Sequence, residues 1–272
     1  MRQLLWSLTD VGVTAYLQMT PESIPVSPVS TLECRNCGAG APVDEHFCPQ
    51  CSRILTLGRH GDYFTFFGLP RKLTMSPPDL ERRFRELSRK FHPDFFYNAA
   101  PAERLASLER SSYLNDAYRT LRDQATRIEH LLAIEGLPSS KSEEGTAKVP
   151  PALLEEVFAL NEELDEIREL RESGAAPAQL SARLRSARTP IDDRREEHER
   201  QLEELSARWD SQLETASPAD RRATLEALRE RLLERNYINN LLATIDREAA
   251  AVGLQTPVSG PDDRPGTADR RP

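Results

Sequence analysis

Apolar residues recur at every third or fourth position along most of this chain, which is the spacing of an amphipathic helix. Between residues 80 and 91 the apolar spacing is four, three and four, which predicts a helix over about 77–91. A second helix is predicted over about 101–122, and longer apolar stripes after residue 150 predict a helical bundle. Almost no segment alternates with period two. We therefore predict an all-α fold outside a short cysteine-rich region.

Proline positions predict helix boundaries, because proline interrupts a helix but is favourable in its first turn. Four windows lack proline and are long enough for helices: 102–137, 152–176, 191–217 and 219–256. Three segments place a hydroxyl residue before proline and an acid three positions on, which predicts a capped helix start: Ser76 to Asp79, Thr189 to Asp192 and Ser217 to Asp220. The second segment predicts that a short helix at 178–188 ends before a new helix begins at Pro190.

Composition divides the chain into six expected segments. Prolines cluster near both ends, and residues 138–151 have the Ser, Gly, Lys and Pro content of a loop. The segments are a disordered tail at 1–30, a cysteine knuckle at 31–58, a helical domain at 62–137, a linker at 138–151, a helical bundle at 152–252 and a disordered tail at 253–272.

The charge and hydropathy of the chain exclude several classes of protein. Its 272 residues are 38% hydrophobic and 29% charged, with a net charge of -8. No apolar run approaches the roughly 20 residues that cross a bilayer, so a membrane protein is not expected. The acidic balance argues against nucleic-acid binding, which requires basic surface. The first residues lack a basic segment followed by an apolar core, so we expect no signal peptide and a cytoplasmic location.

Four cysteines form two Cys-x-x-Cys pairs, Cys34 with Cys37 and Cys48 with Cys51, with ten residues between the pairs. Each pair presents two sulfurs on one side of a tight loop, and four thiolates close a tetrahedron around a metal ion. We predict one zinc, with iron in the same site as the alternative. Disulfides are disfavoured because nothing indicates secretion, and His46 lies nearby but is not needed as a ligand. A closed site leaves no position for substrate, so its predicted role is structural, with dimerisation and partner contact left open.

The predicted helix at 77–91 has an apolar back and a basic front. Three arginines lie opposite its apolar face: Arg82, Arg85 and Arg89. The helix ends at the tripeptide His92-Pro93-Asp94, where proline stops it. The helix after it is expected to bury its larger apolar residues: Leu105, Leu108, Leu114, Ala117, Tyr118 and Leu121. No nucleophile, paired acid or phosphate-binding glycine loop accompanies His92, so we expect recognition rather than catalysis and predict that the chain is not an enzyme.

A short aromatic segment, a basic helix, the His-Pro-Asp tripeptide and a third helix together resemble the J-domain over about 62–125. The tripeptide directly follows FRELSRKF, and this placement makes the resemblance specific. The resemblance implies binding to a DnaK-class heat-shock chaperone and stimulation of its ATP hydrolysis. The implied contact residues are Arg82, Arg85, Arg89, His92, Pro93 and Asp94. Many J-domains have lysine after the tripeptide, whereas Phe95 and Phe96 follow here, which points to a specialised chaperone.

The last hundred residues carry apolar stripes that predict a three-helix bundle. Leu154 and Phe158 lie one turn apart beside the apolar stripe of 153–167, and Glu162 continues their row. Two interpretations stay open. The row either packs against another helix or forms an exposed docking patch.

Segments 127–132 and 161–167 resemble the HscB (Jac-type) co-chaperones of iron–sulfur cluster assembly, in which a J-domain precedes such a bundle. With the cysteine knuckle, the resemblance covers about 34–250. It implies that the bundle binds an IscU-type scaffold protein and presents it to an HscA-type chaperone. The implied scaffold-binding residues are Leu154, Phe158, Glu162 and Tyr237. Two neighbouring positions, Glu155 and Ala159, depart from the bacterial pattern.

Three hypotheses follow from these patterns. The first is a non-enzymatic co-chaperone that couples an iron–sulfur scaffold to a DnaK/HscA-class ATPase. The second is a general J-protein for unfolded clients, in which the bundle binds clients or forms a homodimer. The third, from a different class, is a thiol oxidoreductase that uses the two Cys-x-x-Cys pairs.

Overall fold

The computed structural model describes residues 31–42, 44–57, 61–138 and 154–253. Its elements are β1 Thr31–Glu33, β2 Gly40–Pro42, α1 Tyr63–Phe66, α2 Pro77–Phe91, a 3₁₀ turn Pro93–Phe96, α3 Pro101–Arg122, α4 Gln124–Ile134, α5 Leu154–Glu172, α6 Pro177–Gln212 and α7 Pro218–Ala251. The all-α prediction is confirmed, because every other element in the described ranges is helical. The two short strands pair only with each other, beside the cysteines. No helix in the described ranges is long and apolar enough to cross a membrane.

The segments predicted as tails and linker fall largely beyond this description. Residues 1–30 lie outside the described residues, as do all but one residue each of 138–151 and 253–272. The predicted helices at 77–91 and 101–122 are confirmed as α2 and α3.

The N-terminal helical unit, α1–α4, encloses an aromatic core. Phe64, Phe66 and Phe91 are fully buried there, and the ring of Phe84 stacks on that of Tyr118 with centroids 4.4 Å apart. Asp62 caps α1 by accepting hydrogen bonds from the amides of the residues two and three positions later. Aromatic rings bury large apolar areas in a short segment, so this small unit obtains a dense core from few residues.

One part of the α3 prediction is wrong. Leu105 and Leu108 were expected inside, but they are 54% and 55% exposed. The inward face of the first half of α3 is instead made by Ala106, Ser107 and Arg110, all buried. The side chains of this face are small or hydrogen-bonded to the carbonyls of Phe91 and Leu55, so side-chain hydrophobicity does not reveal its direction.

In the C-terminal bundle, α5–α7, the middle helix α6 is antiparallel to both of its neighbours. Arg183 of α6 bonds Glu163 of α5 at 2.7 Å, and His198 of α6 bonds the carbonyl of Arg231 on α7 at 2.7 Å. Because α5 and α7 are each antiparallel to α6, they run in the same direction. One face of each helix contributes buried apolar residues to the core of this region. These residues are Leu160, Leu164, Ile167, Leu180, Leu184, Ile191, Ile238, Leu242, Ile245 and Ala249.

The predicted helix break at Pro190 is also wrong, because α6 continues through it from Pro177 to Gln212. The Thr189 hydroxyl does not cap a new helix. It donates to the carbonyl of Arg185 one turn back, at 3.1 Å. Leu184 and Ile191 are buried on either side of the proline, so core packing holds the helix across it. The third capping segment is confirmed, since the Ser217 hydroxyl accepts from the amide of Asp220.

The end of α6 and the start of α7 pack against the N-terminal helical unit. Trp209 is almost fully buried, and its indole N–H donates to the carbonyl of Arg71 at 2.8 Å. The two carboxylate oxygens of Asp210 accept from the amides of Leu73 and Thr74, at 2.6 and 2.8 Å. These charge-assisted bonds fix the loop before α2 against the bundle.

The continuity of α6 gives a stability prediction. Pro190→Ala supplies an amide that can donate to the carbonyl of Ser186, which proline leaves without its helical donor. We expect the free energy of unfolding to rise by about 1–2 kcal/mol in denaturant titrations. Pro218→Ala is the matched control, because Pro218 occupies the first turn of α7 and blocks no helical bond. A destabilised Pro190→Ala protein would contradict this account.

Candidate functional site

The His-Pro-Asp tripeptide forms a displayed loop at the end of α2. Phe91 ends the helix, and a 3₁₀ turn begins at Pro93. The His92 ring accepts from the amide of Asp94 through Nδ1 at 3.3 Å, so the loop is stabilised by its own histidine. Both His92 and Asp94 are exposed to solvent. The loop therefore presents an imidazole and a carboxylate to any protein that approaches the end of α2.

The basic face of α2 leads directly to this loop. Arg82, Arg85 and Arg89 are all exposed. Arg82 and Arg85 form local pairs with Asp79 and Glu81, at 2.6 and 2.5 Å. Exposed pairs of this kind are weak, so a partner's carboxylates can replace them. Arg89 forms no ion pair within the described ranges, and Phe95, exposed by 75%, adds apolar area next to the tripeptide.

The predicted scaffold residues lie on the other half of the molecule. Leu154 and Phe158 are 38% and 70% exposed, and Glu162 follows them on the same exposed face of α5. They therefore do not pack into the described bundle. Tyr237 lies half-buried on α7.

The parallel course of α5 and α7 places Tyr237 near this face. Arg168 of α5 bonds Glu248 of α7 at 2.6 Å, which aligns the two helices. Glu248 also pairs with Arg171 at 3.4 Å, so Tyr237 lies roughly level with residues 157–160 of α5. The four predicted residues therefore all lie towards the same end of α5.

The four cysteines converge on one point. Their sulfur atoms all lie within 4.8 Å of one another. The Sγ atoms of Cys34 and Cys51 are 3.6 Å apart, and those of Cys37 and Cys48 are 3.7 Å apart. A disulfide would need about 2.05 Å. A tetrahedral ion with sulfur ligands at about 2.3 Å has edges of about 3.8 Å. The cluster can therefore hold one metal ion with all four sulfurs.

The electrostatics of the cluster favour a cation. The Arg53 amide, which donates to Cys51, lowers the pKa of that thiol to about 6. The pKa of Cys37 is raised to about 12 despite the amide of Ala39, because desolvation and the neighbouring thiols oppose a second charge. Four thiolates cannot form so close together unless a positive ion offsets their repulsion. His46, as predicted, is not part of the cluster, and its ring turns towards α3.

The comparisons with known proteins address the whole architecture. No family model matches the chain. The crystal structure of human co-chaperone protein HscB superposes with a TM-score of 0.56 and 24% sequence identity, covering 81% of this chain and 100% of that one. This chain has the fold of human HscB. The chaperone HscB from Vibrio cholerae aligns at 25% identity over 70% of this chain and 99% of that one, with a TM-score of 0.46.

The HscB fold brings together residues that sequence patterns did not single out. Asp210 and Trp209 attach the bundle to the N-terminal helical unit, and Arg110 attaches the cysteine knuckle to α3. Their partners lie 55 to 138 residues away and are mostly backbone groups. Nothing in the local sequence around these three residues identifies such distant partners.

The sulfur geometry predicts stoichiometric metal binding. We expect one divalent ion per purified chain by elemental analysis, and the loss of most of it in Cys48→Ser, because three thiolates bind more weakly than four. Arg35→Ala changes an exposed residue within the first Cys-x-x-Cys pair and should leave the metal content unchanged. Equal metal content in wild type and Cys48→Ser would contradict a four-sulfur site.

Proposed function

We propose that this protein is a co-chaperone of iron–sulfur cluster assembly. It binds a DnaK/HscA-class chaperone, stimulates ATP hydrolysis by that chaperone and delivers an IscU-type scaffold to it. The observation that carries the proposal is the exposed His-Pro-Asp loop at the end of an arginine-bearing helix, within a chain that has the fold of human co-chaperone HscB. The chemistry occurs in the partner, so the protein itself acts by binding and is not an enzyme.

The chaperone contact consists of the front of α2 and the loop. Its three arginines are exposed and lie on one face of the helix that ends at the tripeptide. Guanidinium groups recognise carboxylates in two-pronged geometry, so the partner surface is acidic. His92 and Asp94 extend beyond the arginines and give the contact its specificity, and the exposed ring of Phe95 adds apolar area.

The scaffold contact consists of Leu154, Phe158, Glu162 and Tyr237. Large exposed apolar residues with a polar neighbour are typical of an interaction surface. The joint at Trp209 and Asp210 holds this surface and the loop in one body. Scaffold and chaperone are thereby kept at high effective concentration relative to each other, which promotes capture without any new contact between them.

The cysteine knuckle holds one zinc ion in a structural role. Zinc prefers the closed four-sulfur tetrahedron, and iron is the competing occupant of the same ligands. Thiolate ligands stay reduced in the cytoplasm, where this protein acts. When bound, the ion would cross-link the two Cys-x-x-Cys turns. It would not provide a reactive centre.

Two variants test the chaperone contact. His92→Gln should abolish stimulation of a DnaK-class ATPase, because the loop loses the ring that bonds the Asp94 amide, while scaffold binding stays intact. Arg85→Glu should raise the half-saturating concentration for ATPase stimulation about tenfold or more, because it reverses the charge of one contact residue. Arg222→Glu is the matched control, because Arg222 is an exposed arginine that also pairs with a glutamate one turn away, on α7. If His92→Gln stimulates like wild type, the loop is not the contact.

The scaffold surface is tested by removing its apolar side chains. Leu154→Ala combined with Phe158→Ala should raise the Kd for an IscU-type scaffold by about 30-fold or more in calorimetry, because two central apolar contacts are lost. Leu105→Ala combined with Leu108→Ala removes a comparably exposed pair from α3 and should leave the Kd unchanged. Absent scaffold binding in the wild type would instead favour a general J-protein for unfolded clients.

A further inference from the structure

Arg110 is a fully buried arginine at the joint between α3 and the cysteine knuckle. Its Nε donates to the carbonyl of Leu55 at 2.9 Å, and its Nη1 lies 2.7 Å from Nδ1 of His46. Its Nη2 donates to the carbonyls of Glu45 and Thr56, both at 3.4 Å. Every one of these acceptors belongs to the knuckle. An α3 side chain is therefore hydrogen-bonded entirely by a different part of the chain.

The charge of Arg110 makes this joint costly to break. Burial lowers the pKa of its guanidinium to about 10, so it remains charged at neutral pH. No carboxylate bonds it within the described residues, and all of its hydrogen-bond compensation for lost hydration comes from the knuckle's carbonyls and imidazole. The orientation of His46 is determined as well. Since arginine can only donate, Nδ1 accepts, and the protonated Nε2 donates to the carbonyl of Phe66 at 3.1 Å.

The knuckle that supplies these acceptors has almost no core of its own. The buried residues of its own cluster are Cys34, Ala41, Cys48 and Leu55, and two of these four are predicted metal ligands. The buried Ile54 belongs instead to the core of the N-terminal helical unit. A core of this size does not fold unaided, so metal binding provides the folding free energy of the knuckle.

The knuckle also covers the residue that carries the loop. Phe91 directly precedes His92 and is fully buried. The knuckle rings of His46 and Phe47 lie 4.9 and 6.1 Å from its ring, and the Arg110 guanidinium lies 5.7 Å from the ring centroid. From α3, the hydroxyls of Ser107 and Ser111 hold its carbonyl at 2.6 and 2.9 Å. The knuckle is thus one wall of the pocket that anchors the loop.

We propose that Arg110 is a positioning residue for the His-Pro-Asp loop, and that metal in the knuckle maintains this positioning. Loss of the metal unfolds the knuckle, leaves the guanidinium without acceptors and uncovers Phe91, so the loop loses its orientation. Chaperone stimulation then depends on metal occupancy. Scaffold binding does not, because the scaffold surface rests on the separate core of the bundle. The functional part of this inference rests on the proposed chaperone contact, whereas the ordering of the loop does not.

The first experiment compares the full chain before and after metal removal with EDTA, and after Zn²⁺ is restored. Hydrogen exchange is followed at the amides of Phe95, Tyr97 and Ala99, which bond within the loop. Metal removal should accelerate their exchange about tenfold or more and raise the half-saturating concentration for ATPase stimulation by a similar factor. Scaffold Kd should change less than twofold, and Zn²⁺ should reverse both effects. Unchanged loop exchange in the metal-free protein overturns the proposal.

The second experiment breaks the joint with the metal in place. Arg110→Met keeps the apolar stem but removes every donor. We expect one ion per chain as in wild type, with faster loop exchange and a raised half-saturating concentration. Arg110→Lys should recover part of both, because lysine donates in fewer directions. Arg127→Met is the matched control, since Arg127 is a buried arginine on α4 that bonds the carbonyl of Leu121 and does not contact the knuckle.

Each outcome decides between the explanations. If Arg110→Met and Arg127→Met accelerate loop exchange equally, the effect is general destabilisation and the positioning role is wrong. The positioning role is also wrong if neither variant changes loop exchange. If the metal-loaded wild type stimulates no DnaK-class ATPase, the proposed function fails, but the exchange data still judge the link between metal and loop. If stimulation is present and is insensitive to EDTA although loop exchange rises, the functional half of the inference is overturned.

Discussion

The antiparallel pairing of α6 with α7 is the interaction on which the rest of the structure depends. One half of this hairpin completes the aromatic core of the N-terminal helical unit, and the other half completes the core beneath α5. The buried carboxylate of Glu234 is held between Arg194 and Arg231, and His198 bonds a carbonyl on the facing helix. Removing one partner from such a buried set is costly, so the hairpin keeps a single register. The two proposed binding surfaces take their relative placement from it.

The arginines of the bundle and those of α2 have different kinds of partner. On the bundle, arginines bridge neighbouring helices, as Arg183 does to α5 and Arg188 to α7. These pairs are internal to the bundle and neutralise part of its acidic excess. On the front of α2 the arginines pair only within their own helix or, for Arg89, with no acid in the described ranges. A chain with a net charge of -8 therefore presents a basic surface beside the loop, and this surface suits the acidic partner proposed above.

The knuckle changes what the loop depends on. In a helical hairpin alone, Phe91 would be covered only by α3 and α1. Here the second cover is the cysteine knuckle, which is attached through the buried guanidinium of Arg110. The link between the cysteine cluster and the proposed chaperone contact is thus a set of backbone carbonyls, which are in place only when the knuckle is folded.

Much of this protein follows from local sequence alone. Helical periodicity predicted α2 and α3 at their observed positions, because amphipathic spacing and proline act within a few residues. The spacing of the cysteines predicted the sulfur cluster, because each Cys-x-x-Cys turn is a local geometry. The resemblance to J-domains implied a contact role for the tripeptide, which is consistent with its exposure. For Leu154 and Phe158, the pattern left packing and exposure both open, and only the assembled bundle shows their exposure.

Tertiary structure decided the features that depend on distant partners. Pro190 interrupts no helix because the cores on both sides hold α6 together, and their free energy outweighs a local preference. Leu105 and Leu108 face solvent because α3 turns Arg110 towards the knuckle, a contact across more than fifty residues. The same reason applies to Asp210, whose partners precede it by 136 and 137 residues. Short-range periodicity determined which segments are helical. Which faces are buried, and what joins the three parts, was determined by hydrogen-bond acceptors that exist only once the chain has folded.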